Sequence, residues 1–202
     1  MTWQYNEEYF KGDMEKGRLQ SFSDGVIAII ITIMVLELKK PSGDNIAALK
    51  PLIPVLTSYV LSFIYIGIYW NNHHHMFYAI TMVNGKVLWA NLHLLFWLSL
   101  IPFVTGWVGE NHFTTIPVAL YGVILFMSAV AWTILSRALI KQHGKSSLIA
   151  TAFGKDIKGA MSLIIYATAI VVSFINPLVS LGLYVVVAIM WFVPDRRIEK
   201  LI

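Results

Sequence analysis

The sequence predicts an all-α, polytopic membrane protein: a single domain of six transmembrane helices spanning residues 1–202. Three observations predict it. Hydrophobic types make up 57% of the chain and charged types 13%, where a soluble domain averages about 45–50% and about 25%. The apolar residues gather in uncharged runs near the ~20 residues needed to cross a hydrocarbon core. The lysines and arginines stand outside those runs and crowd onto alternate connections. The alternating segments of about ten residues that mark a membrane barrel are absent. So is cysteine, which removes thiol catalysis and cysteine-bound metal centres.

Residues 1–17 carry Glu7, Glu8, Asp13 and Glu15. That acidity separates them from a signal peptide and predicts a polar, amphipathic lead-in. The spans then follow at 19–38, 52–70, 87–109, 116–136, 159–176 and 178–193. The first is closed by Glu37, Lys39 and Lys40, and the third holds a mid-span proline, Pro102. Between the fourth and fifth, residues 141–158 read as a polar connection with Gly and Ser. Asn176-Pro177 joins the last two spans, because proline disfavours the α conformation in the residue before it. That pair predicts a tight hairpin, or a single re-entrant element if the two spans merge.

Orientation follows the basic residues. With the N-terminus inside, the inner segments hold Lys11, Lys16, Arg18, Lys86, Arg137, Lys141, Lys145, Lys155, Lys158, Arg196, Arg197 and Lys200. The outer ones hold only Lys39, Lys40 and Lys50. Twelve of the 15 basic residues on one side predict both termini in the cytoplasm. The mildly basic balance, pI near 9.2, is thus a topology signal and gives no reason to invoke nucleic acid.

The first span carries the functional information. A charged side chain at the centre of a spanning helix costs roughly 2.5–3.5 kcal/mol on the insertion scale, so it is a candidate functional or structural residue. Asp24 is the outstanding case, in Arg18-Leu-Gln-Ser-Phe22-Ser23-Asp24-Gly25. At about 100° per residue, Phe22, Gly25, Ile29, Thr32, Ile33 and Leu36 share a narrow stripe, and Asp24 points nearly the opposite way, toward its own subunit. The stripe fits lipid contact or ordinary helix packing. It also fits a pore lining of apolar rings that gate by dewetting, with a hydroxyl between them to meet an ion. Periodicity alone does not choose.

The Arg-x-x-x-Phe-Ser-Asp signature of Arg18 to Asp24 and the segment on to Leu38 resemble the prokaryotic relatives of the endosomal and lysosomal potassium channel, the transmembrane protein 175 family. Trp70-Asn-Asn-His-His-His75, Asn91-Leu-His-Leu-Leu-Phe-Trp97, Pro102-Phe103 and Gly109-Glu110 look like that family's second and third spans. The likeness covers the first half, where the signature at the head of the first span is its specific part, and rests mainly on hydropathy and span count in the second. It implies a homotetramer in a prokaryotic plasma membrane, with four first helices around a potassium-permeable pore and no Thr-Val-Gly-Tyr-Gly filter. By position, Ile29, Ile33 and Leu36 resemble the apolar gate and Thr32 the layer that prefers potassium. Arg18, Phe22, Ser23 and Asp24 resemble the network that anchors the pore helix.

His93 lies inside the third span, and it and one of His73, His74 and His75 are the expected neighbours of Asp24 by depth. Three consecutive histidines point about 100° apart on a helix, so no shared metal is expected of them. They read as a hydrogen-bonding cluster. No nucleophile elbow or phosphate-binding glycine loop is present, so neither catalysis nor a cofactor is expected; the only small partner is a permeating monovalent cation. The competing expectation is a proton-coupled carrier that uses Asp24 and the membrane histidines as a relay.

Overall fold

A computed structural model describes residues 2–144, 146–154 and 156–192, with the backbone alone described at 2–15, 152 and 153. The basic residues Lys145, Lys155, Arg196, Arg197 and Lys200, the side chain of Lys11, and Val193 at the end of the sixth expected span lie outside it. Among the described residues there is no strand. The α-helices are α1 (Thr2–Leu36), α2 (Ile53–Tyr78), α3 (Gly85–Ser99), α4 (Ile101–Glu110), α5 (Thr115–His143), α6 (Leu148–Phe153), α7 (Ile157–Ser173) and α8 (Pro177–Phe192).

Among the described residues, four helical stretches are apolar and long enough to cross a membrane: Lys16–Leu36, Ile46–Tyr78, Gly85–Glu110 and Thr115–His143. Ile157–Ser173 and Pro177–Phe192 are apolar but shorter. At about 1.5 Å per residue they reach roughly 25 Å, somewhat less than a hydrocarbon core of about 30 Å.

Several boundaries differ from the sequence expectation, each for a local reason. The polar lead-in is not a separate element, because α1 runs unbroken from Thr2. A short 3₁₀ helix, Ile46–Leu52, leads into α2, capped where Asn45 accepts from the Ala48 amide. α2 continues past Trp70 to Tyr78, since its polar tail is bonded within the protein: Asn72 donates to the Ile68 carbonyl and His73 reaches Asn91. The third span is broken at Leu100 into α3 and α4, where Pro102 takes a first-turn position of the second piece. The 141–158 connection is not wholly irregular: α5 extends into it as far as His143 and α6 forms within it, its start capped by Ser147. The Asn176-Pro177 hairpin is as expected, with Asn176 Oδ1 accepting from the amides of Leu178 and Val179.

Side-chain bonds fix how the helices run. Lys16 Nζ donates to the Ile80 carbonyl and His143 accepts from the Thr81 and Met82 amides, so the membrane-length part of α1 starts beside the end of α2 and the end of α5. Lys39 pairs with Glu110 at 2.6 Å, bringing the end of α1 to the end of α4. Trp191 Nε1 donates to Ser162 Oγ across the antiparallel α7–α8 pair. Buried polar groups in an apolar bundle need internal partners, and a hydroxyl set supplies them at its centre. Ser62 on α2 bonds Thr105 on α4 at 2.6 Å and Tyr121 on α5 at 2.9 Å. Tyr65 donates to the Tyr184 carbonyl, and the Tyr184 hydroxyl donates to the Val118 carbonyl.

Gly109 lets α4 close on α2, because a Cβ there would stand 2.6 Å from Val55 Cα and 2.7 Å from Ser58 Oγ. Gly109→Ala is expected to destabilise the fold by about 1–3 kcal/mol, as overpacking does. A thermal-unfolding midpoint in detergent equal to that of the wild type would contradict this packing.

Candidate functional site

α1 packs against α2, α3 and α4 with one face only. Ser23 (0% exposed), Ile27 (2%), Ile30 (3%) and Met34 (2%) form that face. Opposite them, Ile29 (60%), Ile33 (43%), Leu36 (76%) and Phe22 (52%) are uncovered. Gly25 and Thr32 are exposed among them. The uncovered arc is wider than the narrow stripe read from periodicity, because Ala28 and Val35 are exposed too. An isolated spanning helix in a bundle satisfies its backbone internally, so such an arc meets lipid, a second protein surface or a pore without backbone cost.

A chain of hydrogen bonds holds the other face. Ser23 Oγ donates to the Leu19 carbonyl of its own helix and accepts from Asn91 Nδ2 on α3, both at 2.9 Å. Asn91 Oδ1 lies 2.8 Å from His73 Nε2 on α2. Since the Asn91 amide nitrogen is spent on Ser23, its oxygen must accept, which assigns the proton of His73 to Nε2. His73 is buried and stacked on Phe77 with ring centroids 4.3 Å apart, and its Nδ1 has no hydrogen-bond partner. Three helices are thereby joined through one serine, one asparagine and one histidine.

Asp24, half-buried, accepts from Trp70 Nε1 of α2 at 3.0 Å. One turn earlier on α1, Gln20 Nε2 donates to His74 Nδ1 at 3.2 Å, and the His74 ring lies 6.1 Å from that of Trp70. Asp24 therefore faces its own subunit. Its hydrogen-bond partner is the Trp70 indole; of the expected histidines, His73 lies within electrostatic reach of Asp24, whereas His93 Nε2 accepts from Trp97 on the same helix. Depth favours His93, yet the residue of α3 that bonds α1 is the fully buried Asn91, two positions earlier. Arg18 is exposed.

Thr32 donates its hydroxyl proton to the Ala28 carbonyl at 2.8 Å. The oxygen lone pairs are then what it presents to the uncovered side, the polarity that suits a cation. At the far end of α1 the Glu110 carboxylate, by hydrogen bond and charge, holds the Lys39 ammonium above its ordinary value. A groove of about 530 Å³ flanks this end, with Ile33 and Glu37 on one wall and Pro102, Gly106 and Trp107 on the other. Among the described residues no three His, Cys, Asp or Glu side chains converge as a metal site.

Apolar helices of membrane length, tied by buried hydroxyl, amide and imidazole bonds, define an integral membrane protein of the helical-bundle class. Residues 18–102 match the family described as the endosomal/lysosomal potassium channel TMEM175. A potassium channel of Chryseobacterium sp. (strain P1-3) is 54% identical over 187 residues, covering 93% of this chain and 97% of that one. One of Streptomyces collinus is 33% identical over 126 residues, 58% of this chain and 61% of that one. The fold is similar to the crystal structure of a lysosomal potassium-selective channel TMEM175 homologue from Chamaesiphon minutus, with a TM-score of 0.76 at 27% identity over 88% of this chain and 96% of that chain. The chain belongs to the TMEM175 family. The likeness extends through the second half, whose sequence by itself offers mainly hydropathy and span count.

Asn91→Leu is expected to cost about 1–3 kcal/mol or more, because it leaves the Ser23 and His73 groups unmatched in a buried site. Thermal unfolding in detergent measures it. A loss no larger than that of an exposed control such as Leu92→Ala would show that the chain of bonds does not hold α1.

Proposed function

We propose that this chain forms a potassium-permeable channel: a homotetramer in the plasma membrane of a prokaryote, with four copies of α1 around the pore. The carrying observation is the uncovered face of α1. Apolar Ile29, Ile33 and Leu36 alternate there with a single hydroxyl, Thr32, while the opposite face is fixed to α2 and α3 by Ser23 and Asn91. Rings of Ile29 and Leu36, with Ile33 beside them, form the hydrophobic constriction. Thr32 supplies oxygen to a partly dehydrated cation, in place of a carbonyl filter. Ser23 and Asp24 anchor the pore helix through Asn91 and Trp70. Arg18 and Phe22, exposed in a single copy, would join that anchor only between copies, and His93, bonded to Trp97 of its own helix, has no such bond. Membership of a family of ion channels supports a conducting rather than an enzymatic role. The relatives reported above are named as channels, so the carrier reading through Asp24 and the histidines has no support from them.

Six spans per copy are supported by the two shorter apolar helices α7 and α8, which pack on α5 and close the bundle. Cytoplasmic termini are supported by the charge asymmetry of the connections. The bonds of Lys16 and His143 to the α2–α3 connection also gather three of the basic segments at one end of the bundle.

Purified protein reconstituted in planar bilayers with opposing potassium and sodium gradients tests the reading. Single-channel currents reversing toward the potassium potential are expected, and transport only at the rate of an alternating-access cycle would overturn it. Ile29→Asn or Leu36→Asn is expected to raise conductance by wetting the constriction; unchanged currents in both would remove those residues from the gate. Thr32→Ala is expected to weaken the preference for potassium over sodium, read as a shift of the mixed-ion reversal potential toward zero selectivity. An unmoved potential would take the hydroxyl out of the selectivity step.

A further inference from the structure

At the end of the bundle where α2 gives way to α3, the chain from Ile80 to Val83 has no helical ladder to hold it. Two side chains from other helices do so. From α1, Lys16 Nζ donates to the Ile80 carbonyl at 3.1 Å. From α5, His143 Nε2 lies 3.3 Å from the Thr81 amide nitrogen and 3.4 Å from that of Met82. Ile80 and Val83 are buried on either side of the two exposed residues that His143 holds.

The donor inventory settles the state of the imidazole. Backbone N–H groups can only donate, so Nε2 must be a bare lone pair. The other nitrogen, Nδ1, stands 3.0 Å from the Leu139 carbonyl, an acceptor, and so carries the proton. His143 is thus a neutral Nδ1–H tautomer in this arrangement. Its bond to Leu139 survives protonation, whereas its two bonds to the connection do not, because an Nε2–H group cannot accept. Histidine is the side chain whose charge changes in the range of about pH 5–8.

We propose that His143 is a proton-operated clasp: neutral, it holds the α2–α3 connection and, through Ile80 and Lys16, the membrane-entry turn of α1; protonated, it lets the connection go. Among the described residues, the charged and titratable groups on the elements packed around this corner include Lys16 and Arg18 on α1, His74, His75 and Tyr78 near the end of α2, Lys86 on α3, Arg137 and Lys141 on α5 itself, and Asp156 and Lys158 at the head of α7. Asp156 is engaged in capping α7 through the Gly159 amide. Neither those groups nor the carbonyls at the end of α5 distinguish clasped from released. Only the Nε2 lone pair does. The clasp requires the neutral ring, so the restraint weakens as protonation takes the Nε2 lone pair. Nothing in this depends on which ion the protein passes.

Hydrogen–deuterium exchange of the full chain in lipid nanodiscs, followed on peptides covering residues 79–84 and corrected for intrinsic exchange, reads the clasp directly. Between about pH 8 and about pH 5.5 the Thr81 and Met82 amides are expected to lose about threefold or more of their protection. His143→Ala is expected to show the low protection at both values, and Lys16→Gln to raise exchange while keeping the step. Equal wild-type protection at the two pH values, or a step that survives His143→Ala, overturns the proposal. Should the alanine variant not fold, nitrogen-15 histidine spectra of the wild type decide. An Nδ1–H tautomer at high pH whose protonation moves the Thr81 and Met82 amide signals bears the clasp out, and an Nε2–H tautomer rules it out.

Discussion

Inside hydrocarbon, a buried polar group that lacks a partner in the protein has no water to turn to, and the orientation of α1 depends on that constraint. Asn91 offers a donor and an acceptor at a fixed place on α3. Ser23 takes the first and His73 the second. Turning α1 by one residue would swing every side chain through about 100°, withdraw Ser23 from Asn91 and bring Asp24 or Phe22 in its place. Neither could accept the amide without losing another match: Asp24 is already engaged by Trp70, and Phe22 has nothing to offer. The rotation of the helix is therefore set by a serine hydroxyl near one end. The face left uncovered further along, Ile29 to Leu36, follows from it. Packing of Ile27, Ile30 and Met34 tightens the same choice, but aliphatic side chains alone tolerate rotation better than a directional bond does.

The remainder of the bundle uses the same chemistry for a different end. Ser62, Thr105 and Tyr121 bond one another across α2, α4 and α5, and the Tyr65–Tyr184–Val118 series carries the tie to α8 and back to α5. These groups sit away from the uncovered face of α1 and give that helix a stiff backing. The break at Leu100 lets α4 close upon α2 through Gly109 while α3 stays on α5. One span thus serves two packing partners, which a straight helix of the same length would not.

How much of this was legible in the sequence differs from residue to residue. Hydropathy located the helices of membrane length and the two shorter apolar ones, though not α6, and helical phase picked out part of the uncovered arc of α1 while missing Ala28 and Val35, because both depend on local spacing. The resemblance carried by Arg18 to Asp24 pointed to the right family. What local spacing does not contain is which polar residue of one helix meets which of another. His93 and Asn91 are two residues apart and equally polar, so depth favours neither. Only the phase of α3 against α1, a property of the assembled bundle, chooses Asn91. The Trp70–Asp24 bond escaped for a related reason: an aromatic residue at a predicted interface reads as a membrane anchor, and its indole donor is easily passed over. Lys39 and Glu110, 71 positions apart, had no local signal at all.

Ser23 and Thr32 show how one motif serves two purposes along a single helix. Both hydroxyls donate to the carbonyl four residues back, at 2.9 Å and 2.8 Å. Both are left with oxygen lone pairs directed away from the helix axis. At Ser23 the neighbouring amide of Asn91 takes up that capacity, and the result is an anchor. At Thr32 no side chain among the described residues of the same subunit does, because it stands on the exposed arc. Under the proposed reading, four such oxygens would converge between apolar rings. A cation there exchanges part of its water shell for oxygens whose protons are already committed to the helix and so cannot turn toward it. Isoleucine and leucine offer no such exchange. A hydrophobic constriction with one back-bonded hydroxyl layer can in this way distinguish cations from one another without a carbonyl filter, provided the rotation of α1 is held, and that is what Ser23, Asn91 and His73 do.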